Sequence, residues 1–259
     1  MAEHKVLEPI WAKKPETASR LRGRIESILD WAKTRGYRSG ENPARWRGHL
    51  ENLFPARSKL RKVQHLAALP YPQIPDFMKA LEQQAGEQSR ALHFAILTAA
   101  RTAEVLGARW NEIDLRAGVW TVPAVRMKAG REHRVPLSDG AMALLGKRGH
   151  GEDYLFKAAI KGKPLHDMLS VLRRMGRSDI TAHGFRSTFR DWAAEQTSFP
   201  GEVAEAALAH VVGDKVEAAY RRGDLFEKRR RLMEAWGGYC SGSAQAGDVV
   251  PIRREAVAA

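Results

Sequence analysis

Six residues spread between positions 101 and 220 carry the side chains that a phosphodiester reaction calls for: Arg101, Lys128, His183, Arg186, His210 and Tyr220. Two guanidiniums, an ammonium and two imidazoles make a cationic cage for a phosphate, and the phenol of Tyr220 supplies an attacking oxygen. A guanidinium grips two phosphate oxygens as a fork, which an ammonium does not. A phenol titrates near about 10 and is a weak nucleophile unless a base or neighbouring cations favour phenolate. Arg101, Arg186 and His210 are the candidates for that field. The sequence holds no P-loop, Ser/Cys triad or metal-ligand cluster in competition.

Each residue also has a plainer reading. His183 and Arg186, three apart at the start of HGFRSTFRDWAAE, share a helix face near the positive end of the dipole, with Thr181 as a cap. Alone they read equally as a buried histidine and a salt-bridged arginine. Arg101 follows the apolar run FAILTAA and is expected to meet a buried anion, with Glu104 either orienting a catalytic neighbour or simply pairing with Arg101 along a helix. Lys128 lies in VRMKAGREHRVPLS, a hairpin whose tip can reach into a DNA groove. It competes with Arg131 for the role of general acid to a leaving 5′ oxygen, and an ammonium gives up a proton more readily than a guanidinium. His210 closes the helix EVAEAALAH, and Tyr220, ten residues on, would otherwise be helix filler. The set gains weight from its order: 82 residues from Arg101 to His183, three to Arg186, 24 to His210 and ten to Tyr220.

The elements that must position these groups are mostly helices. Apolar spacing at Leu21, Ile25, Ile28, Leu29 and Trp31 predicts a helix over 16–36 with Gly36 as its C-cap. Further helices are expected in 74–100, with the run before Arg101 buried, and over 102–114, 138–147, 164–175, 182–196, 201–209, 214–222 and 225–236. The alternation in GVWTVPAVRMKAGREHRVPLS, around Ala129-Gly130, predicts short antiparallel strands. The expected fold class is mostly α with a small antiparallel β-sheet. Residues 1–57 are read as a helical DNA-binding module, 58–73 as a linker rich in Pro, Lys and Arg, 74–240 as the catalytic domain and 241–259 as a flexible tail.

Net charge is +13, which favours a polyanionic partner, nucleic acid before membrane. Residues 1–70 hold 15 Lys/Arg against 7 Asp/Glu, so the basic excess is densest there. Arg22, Arg24, Arg45, Arg47, Lys59, Arg61 and Lys62, with Arg131 and Arg134 beside the hairpin, are the candidate DNA contacts. No run is apolar and long enough for a transmembrane helix, and the N-terminus lacks an apolar leader segment. Cys240 is the single cysteine, which fits a reducing cytoplasm.

The stretches LTAARTAEVLGARWNEIDL, WTVPAVRMKAGREHRVPLS, TAHGFRSTFRDWAAE and ALAHVVGDKVEAAYRRGDLFEKRRRLMEAW, within about residues 97–236, resemble the tyrosine site-specific recombinases, particularly phage-type integrases of satellite phages and genomic islands. The resemblance implies a tyrosine recombinase catalytic fold preceded by a partial helical core-binding domain. It implies Arg101 and Arg186 as phosphate clamps, Lys128 as proton donor, His183 as an assistant in proton transfer, His210 as a phosphate hydrogen-bond partner and Tyr220 as nucleophile. The implied activity integrates or excises a mobile element through a 3′-phosphotyrosyl link, with no metal, ATP or other cofactor. Double-stranded DNA, a homo-tetramer on DNA and a DNA-bending accessory protein are the implied partners, in the nucleoid of a bacterial cell. FEKRRRLMEAW is amphipathic and either docks on a neighbouring protomer or packs on its own domain.

Such integrases are commonly longer and begin with an arm-site domain, so the chain is expected to be shortened at its N-terminus and weaker in DNA binding. Two other readings are open: a catalytically impaired DNA-binding remnant or regulator, and a relaxing topoisomerase or nuclease-like enzyme.

Overall fold

The computed structural model describes residues 3–60, 67–158, 163–210 and 223–243. The chain divides into two compact units, Met1–His65 and Leu66–Ala259.

In the first unit, α1 (Glu3–Trp11) and α2 (Pro15–Thr34) form a helical pair, followed by the single-turn α3 (Arg57–Leu60). Leu7, Trp11, Ala18, Leu50 and Phe54 form its core. Trp11 stacks on Trp46 and Phe54 at ring distances of 5.5 and 4.8 Å, and its indole N–H donates to the carbonyl of Pro55. The helix expected over 16–36 stops at Thr34, and Gly36 takes φ 75°, closing the helix as its sequence position suggested. The apolar positions that marked this helix are not all buried: Ile28 and Trp31 are 63% and 56% exposed.

The second unit is built around α5 (Glu87–Thr98), whose Leu92, Phe94, Ile96 and Leu97 are buried as the sequence implied. Around it lie α4 (Ile74–Glu82), α6 (Thr102–Leu106), α7 (Asp139–Ala143), α8 (Leu169–Arg174), α9 (Gly184–Gln196), α10 (Gly201–Ala207) and α11 (Phe226–Ser241). Leu232, Met233 and Trp236 of α11 are buried within this unit, and the Trp236 indole donates to the carbonyl of Ile96 across 2.9 Å. The apolar face of the amphipathic segment thus packs on its own domain.

A three-stranded antiparallel sheet runs in the order β1 (Ile113–Asp114), β2 (Val119–Val122), β3 (His133–Pro136), with Trp120 opposite Val135 and Val122 opposite His133. The helix expected over 102–114 is corrected here: α6 ends at Leu106, and the chain turns out to form β1. The cause is pairing with distant chain, since the amides of Trp110 and Asn111 donate to the carbonyls of Asp153 and Gly151 and β1 itself pairs with β2. The helix expected from 164 starts only at Leu169, where the Asp167 carboxylate accepts from the amides of Leu169 and Ser170. The segment expected as a linker splits. Residues 61–66 lie outside the described residues, whereas Leu69 is buried and Ala67 accepts a hydrogen bond from the amide of Thr181 in the second unit. The expected helix over 214–222 and the tail from 244 also lie outside the described residues. Among the described residues no helix is long and apolar enough to cross a membrane.

Candidate active site

Two helices of the second unit end in the same unusual way. Ala99 after α5 and Ala209 after α10 both take φ 49°, the left-handed region that residues with a Cβ rarely adopt. Each turn exposes backbone oxygens at a helix end, where the peptide dipole is negative. Arg186 of α9 reaches both: Nη1 donates to the carbonyl of Ala99, and Nη2 to that of Leu208 at 2.6 Å. Arg101 joins from the other side, with Nη2 3.3 Å from the carbonyl of Ala209. Two arginines 85 positions apart in the sequence are thereby held side by side by main-chain oxygens.

Glu104 of α6, almost fully buried, completes the seat of Arg101. One carboxylate oxygen accepts from Nη1 at 2.8 Å and the other from the Arg101 amide at 2.9 Å. Both sequence readings of Glu104 meet here, because the helix pair is also what orients the guanidinium. Burial, with Arg101 adding like charge, lowers Arg186 to about 10.

His210 follows the Ala209 turn. Its Nε2 lies 3.2 Å from Nη2 of Arg186, and its Nδ1 lies 2.6 Å from Oε2 of Glu205. A guanidinium only donates, so Nε2 accepts and Nδ1–H donates to Glu205. Burial works against the Glu205 carboxylate, but hydrogen bonds from Arg190 and His210 outweigh it and hold it below the usual range. Glu205 escaped the sequence reading, although its position five residues before His210 on an amphipathic helix was a visible signal.

His183 sits at the start of α9, and its exposed ring is held low first by partial burial and then by Arg186, Arg101, His210 and Lys128. Arg186, Arg101, His210 and Lys128 all lie close enough to act on this one imidazole. Thr181 caps the helix as expected, its hydroxyl accepting from the amide of Gly184 at 3.0 Å. Gly184 itself has a role the sequence did not reveal. A Cβ there would lie 2.2 Å from the carbonyl oxygen of Ala67, so only glycine lets α9 approach that segment.

Lys128 is exposed on the connection between β2 and β3, whose strands stop at Val122 and resume at His133. The connection is longer than a tight hairpin, yet its root is fixed. Met127 is buried, Arg126 Nη1 donates to the carbonyl of Glu104 at 2.9 Å, and Arg126 Nη2 pairs with Glu112. His133 of β3, also absent from the sequence reading, is pushed down to about 4 by burial and then by Arg229.

The structure thus brings together Arg101, Lys128, His183, Arg186 and His210 with Glu104. Tyr220, Arg61 and Lys62 lie outside the described residues. The other expected DNA contacts divide. Arg24, Arg47, Lys59 and Arg131 are exposed, and Arg45 is exposed beside Glu41. Arg22 is committed within its own unit, donating to Glu26 at 2.6 Å and to the carbonyl of Ala44 at 2.8 Å. Arg134 is likewise committed, to Asp224.

The sequence profile of the Phage integrase family matches residues 68–224, and that of the Phage integrase central domain matches residues 4–49. The chain belongs to the phage integrase family. It is 33% identical over 256 residues to the prophage integrase IntA of Escherichia coli (strain K12), covering 95% of this chain and 60% of that protein. It is 30% identical over 250 residues to the integrase of Enterobacteria phage P4, covering 87% of this chain and 55% of that one. This integrase-family chain therefore spans about 60% of the length of the first of these relatives. Among solved structures it is similar in fold to the Tn1549 transposon integrase (residues 82–397) in complex with circular intermediate DNA, with TM-score 0.56 and 14% identity over 84% of this chain and 83% of that one. It is similar also to a lambda integrase (75–356) dimer bound to a COC′ core site, with TM-score 0.56 and 18% identity over 82% and 80% of the two chains. Both carry the fold of the tyrosine recombinases, which the second unit shares.

Proposed function

We propose that the chain cleaves and rejoins DNA strands at defined sites, with Tyr220 as nucleophile. The phenol oxygen attacks the scissile phosphorus as its proton passes to His183, the bond to the 5′ oxygen breaks, and a 3′-phosphotyrosyl link replaces it. Lys128 gives its proton to the departing 5′ oxygen, and His183 assists the proton transfer. Arg101 and Arg186 hold the non-bridging oxygens while charge builds on them, and His210 adds a hydrogen bond. A 5′-hydroxyl from a partner strand then reverses the step. The bond energy stays in the covalent link, so the reaction needs neither ATP nor a divalent metal.

The observation that carries this reading is the convergence of five cationic or hydrogen-bonding groups from four distant segments on one space. Three of them, Arg101, Arg186 and His210, hold fixed partners. The position of His210, ten residues before Tyr220, supports the same assignment. Double-stranded DNA is the proposed substrate, with residues 1–57 as a core-type DNA-binding domain and 74–240 as the catalytic domain. Exchange between two duplexes would use four copies of the chain, with a DNA-bending protein as a further partner, in integration or excision of a mobile element near the nucleoid.

Covalent capture tests the reading. The protein is incubated with a randomised pool of nicked suicide duplexes, and DNA linked to protein is recovered under denaturing conditions. An adduct formed in EDTA and lost in Tyr220→Phe supports the proposal. Salt-sensitive DNA binding with no adduct marks a binding protein on the same scaffold instead. Relaxation of supercoils without exchange of strands marks a topoisomerase.

A further inference from the structure

We infer that Arg134, Asp224 and Arg229 form a positioning cluster that ties the chain just beyond Tyr220 to strand β3. The inference rests on the reading of Tyr220 as nucleophile. Asp224 is gripped at both its side chain and its backbone. Arg134 donates through Nε to Oδ2 at 3.1 Å and through Nη2 to Oδ1 and Oδ2 at 3.0 and 2.8 Å. Arg229, 1% exposed, donates through Nε to the carbonyl of Asp224 at 2.7 Å and through Nη2 to its Oδ2 at 2.8 Å. Its remaining Nη1 donates to the carbonyl of Arg134, so one buried guanidinium joins both partners. Leu225 takes φ 54°, a left-handed turn that brings Asp224 back over the start of α11. Phe226 floors the cluster, with the guanidiniums of Arg134, Arg230 and Arg229 at 4.3, 4.9 and 5.5 Å from its ring.

Stability accounts for part of this arrangement: the buried Arg229 needs Asp224 as its counter-charge, whereas Arg134 and Asp224, each nearly half exposed, form a pair that contributes little. α11 is already secured by Leu232, Met233 and Trp236. What the cluster does fix is location. Asp224 lies four residues beyond Tyr220, and four residues of extended chain span at most about 14 Å. The ten residues from His210 to Tyr220 allow about 36 Å. The shorter tether bounds where the phenol can go, and it is the one the arginines hold. Arg134 also lies six residues beyond Lys128, so the same strand root serves both the proton donor and the nucleophile. Misplacement by about 1 Å can cost a reaction about a hundredfold.

The competing role for Arg134 is a DNA phosphate contact, and the two give opposite results. Wild type, Asp224→Ala, Asp224→Asn, Asp224→Glu, Arg134→Ala and Arg134→Lys are compared on a nicked duplex selected by covalent capture on the wild type. Single-turnover adduct formation at saturating DNA is expected to fall at least about tenfold in Asp224→Ala and Arg134→Ala. DNA affinity and its salt slope stay unchanged, and Asp224→Glu recovers part of the rate. The loss persists on a duplex whose leaving 5′ oxygen is replaced by sulfur, which departs without a proton donor. Where an alanine variant does not fold, Asp224→Asn and Arg134→Lys, similar in size, carry the comparison. A wild-type adduct matched in rate by Asp224→Ala and Asp224→Asn overturns the inference alone. So does a weaker salt slope in Arg134→Ala, or full rescue by the sulfur duplex, which would assign the cluster to Lys128. Absence of any Tyr220-dependent wild-type adduct overturns the catalytic reading and this inference together.

Discussion

Glu205 faces His210 across 2.6 Å, carboxylate oxygen to Nδ1, and this contact determines which ring nitrogen of His210 points at Arg186. The carboxylate fixes the tautomer and the plane of the ring, as second partners of catalytic and metal-bound histidines do. Replacing it leaves the imidazole free to turn. Glu205→Ala is expected to slow covalent adduct formation by about tenfold to a hundredfold. Glu205→Gln, which still accepts a hydrogen bond, retains more of the rate. Single-turnover kinetics on a captured duplex, with affinity measured in parallel, separate this from weakened binding.

Lys128 and Arg131 lie on one connection but are expected to behave differently. Loss of a general acid costs about a hundredfold to ten-thousandfold, so Lys128→Ala should lose cleavage while keeping DNA affinity. A duplex with sulfur at the leaving position should restore it. Arg131→Ala should instead lower affinity and reduce the salt slope by about 0.9, the signature of one lost phosphate contact. Reversal of these two patterns would make Arg131 the proton donor.

Gly184 marks the closest approach of α9 to the segment at Ala67 and Ala68. A Cβ would lie 2.2 Å from one backbone oxygen and 2.9 Å from the next Cα, and neither can yield as a flexible side chain does. Gly184→Ala is expected to cost about 2 kcal/mol or more in urea unfolding. The neighbouring Arg186 depends on this helix start, so the variant should also lose adduct formation.

His133 gives stability a pH dependence of known sign. In the folded chain its imidazole is held at about 4, first by burial and then by Arg229, with Glu104 and Arg101 also acting on it. Unfolded, it titrates near about 6.5, so below that the unfolded chain binds the extra proton. The contribution is complete above about 6.5, and it is lost as pH falls toward about 4, by roughly 3 kcal/mol. Urea unfolding of the wild type should show this loss, and His133→Gln should flatten it. An unchanged acid slope in the variant would assign the sensitivity to other groups.

The second unit was legible where patterns are periodic and local. The apolar run ending before Arg101 gave a buried α5, and alternation around Trp120 gave β2 and β3. The chemistry-bearing types were legible too, because guanidinium, imidazole and ammonium groups stand out when they recur at long intervals. What failed was anything set by distant backbone. The helix stops because Trp110 and Asn111 bond to a loop some forty residues later, leaving Ile113 and Asp114 to pair with β2, and no local preference announces that. Ala99 and Ala209 look like ordinary helix formers, yet both take left-handed turns whose carbonyls are held by arginines elsewhere in the chain. Arg22 and Arg134 have partners that the sequence did not show, for a related reason. Composition counts charges, but it does not reveal which charges are already paired inside the fold.

The grips on Arg186 at Ala99 and Leu208 are carbonyl groups, and every amino acid brings one. Mutational drift at those two positions can alter the methyl or isobutyl group without erasing either acceptor. The cage is in this respect written into the path of the chain: position 99 is limited by its left-handed turn, and positions 99 and 208 alike by the buried space their side chains fill.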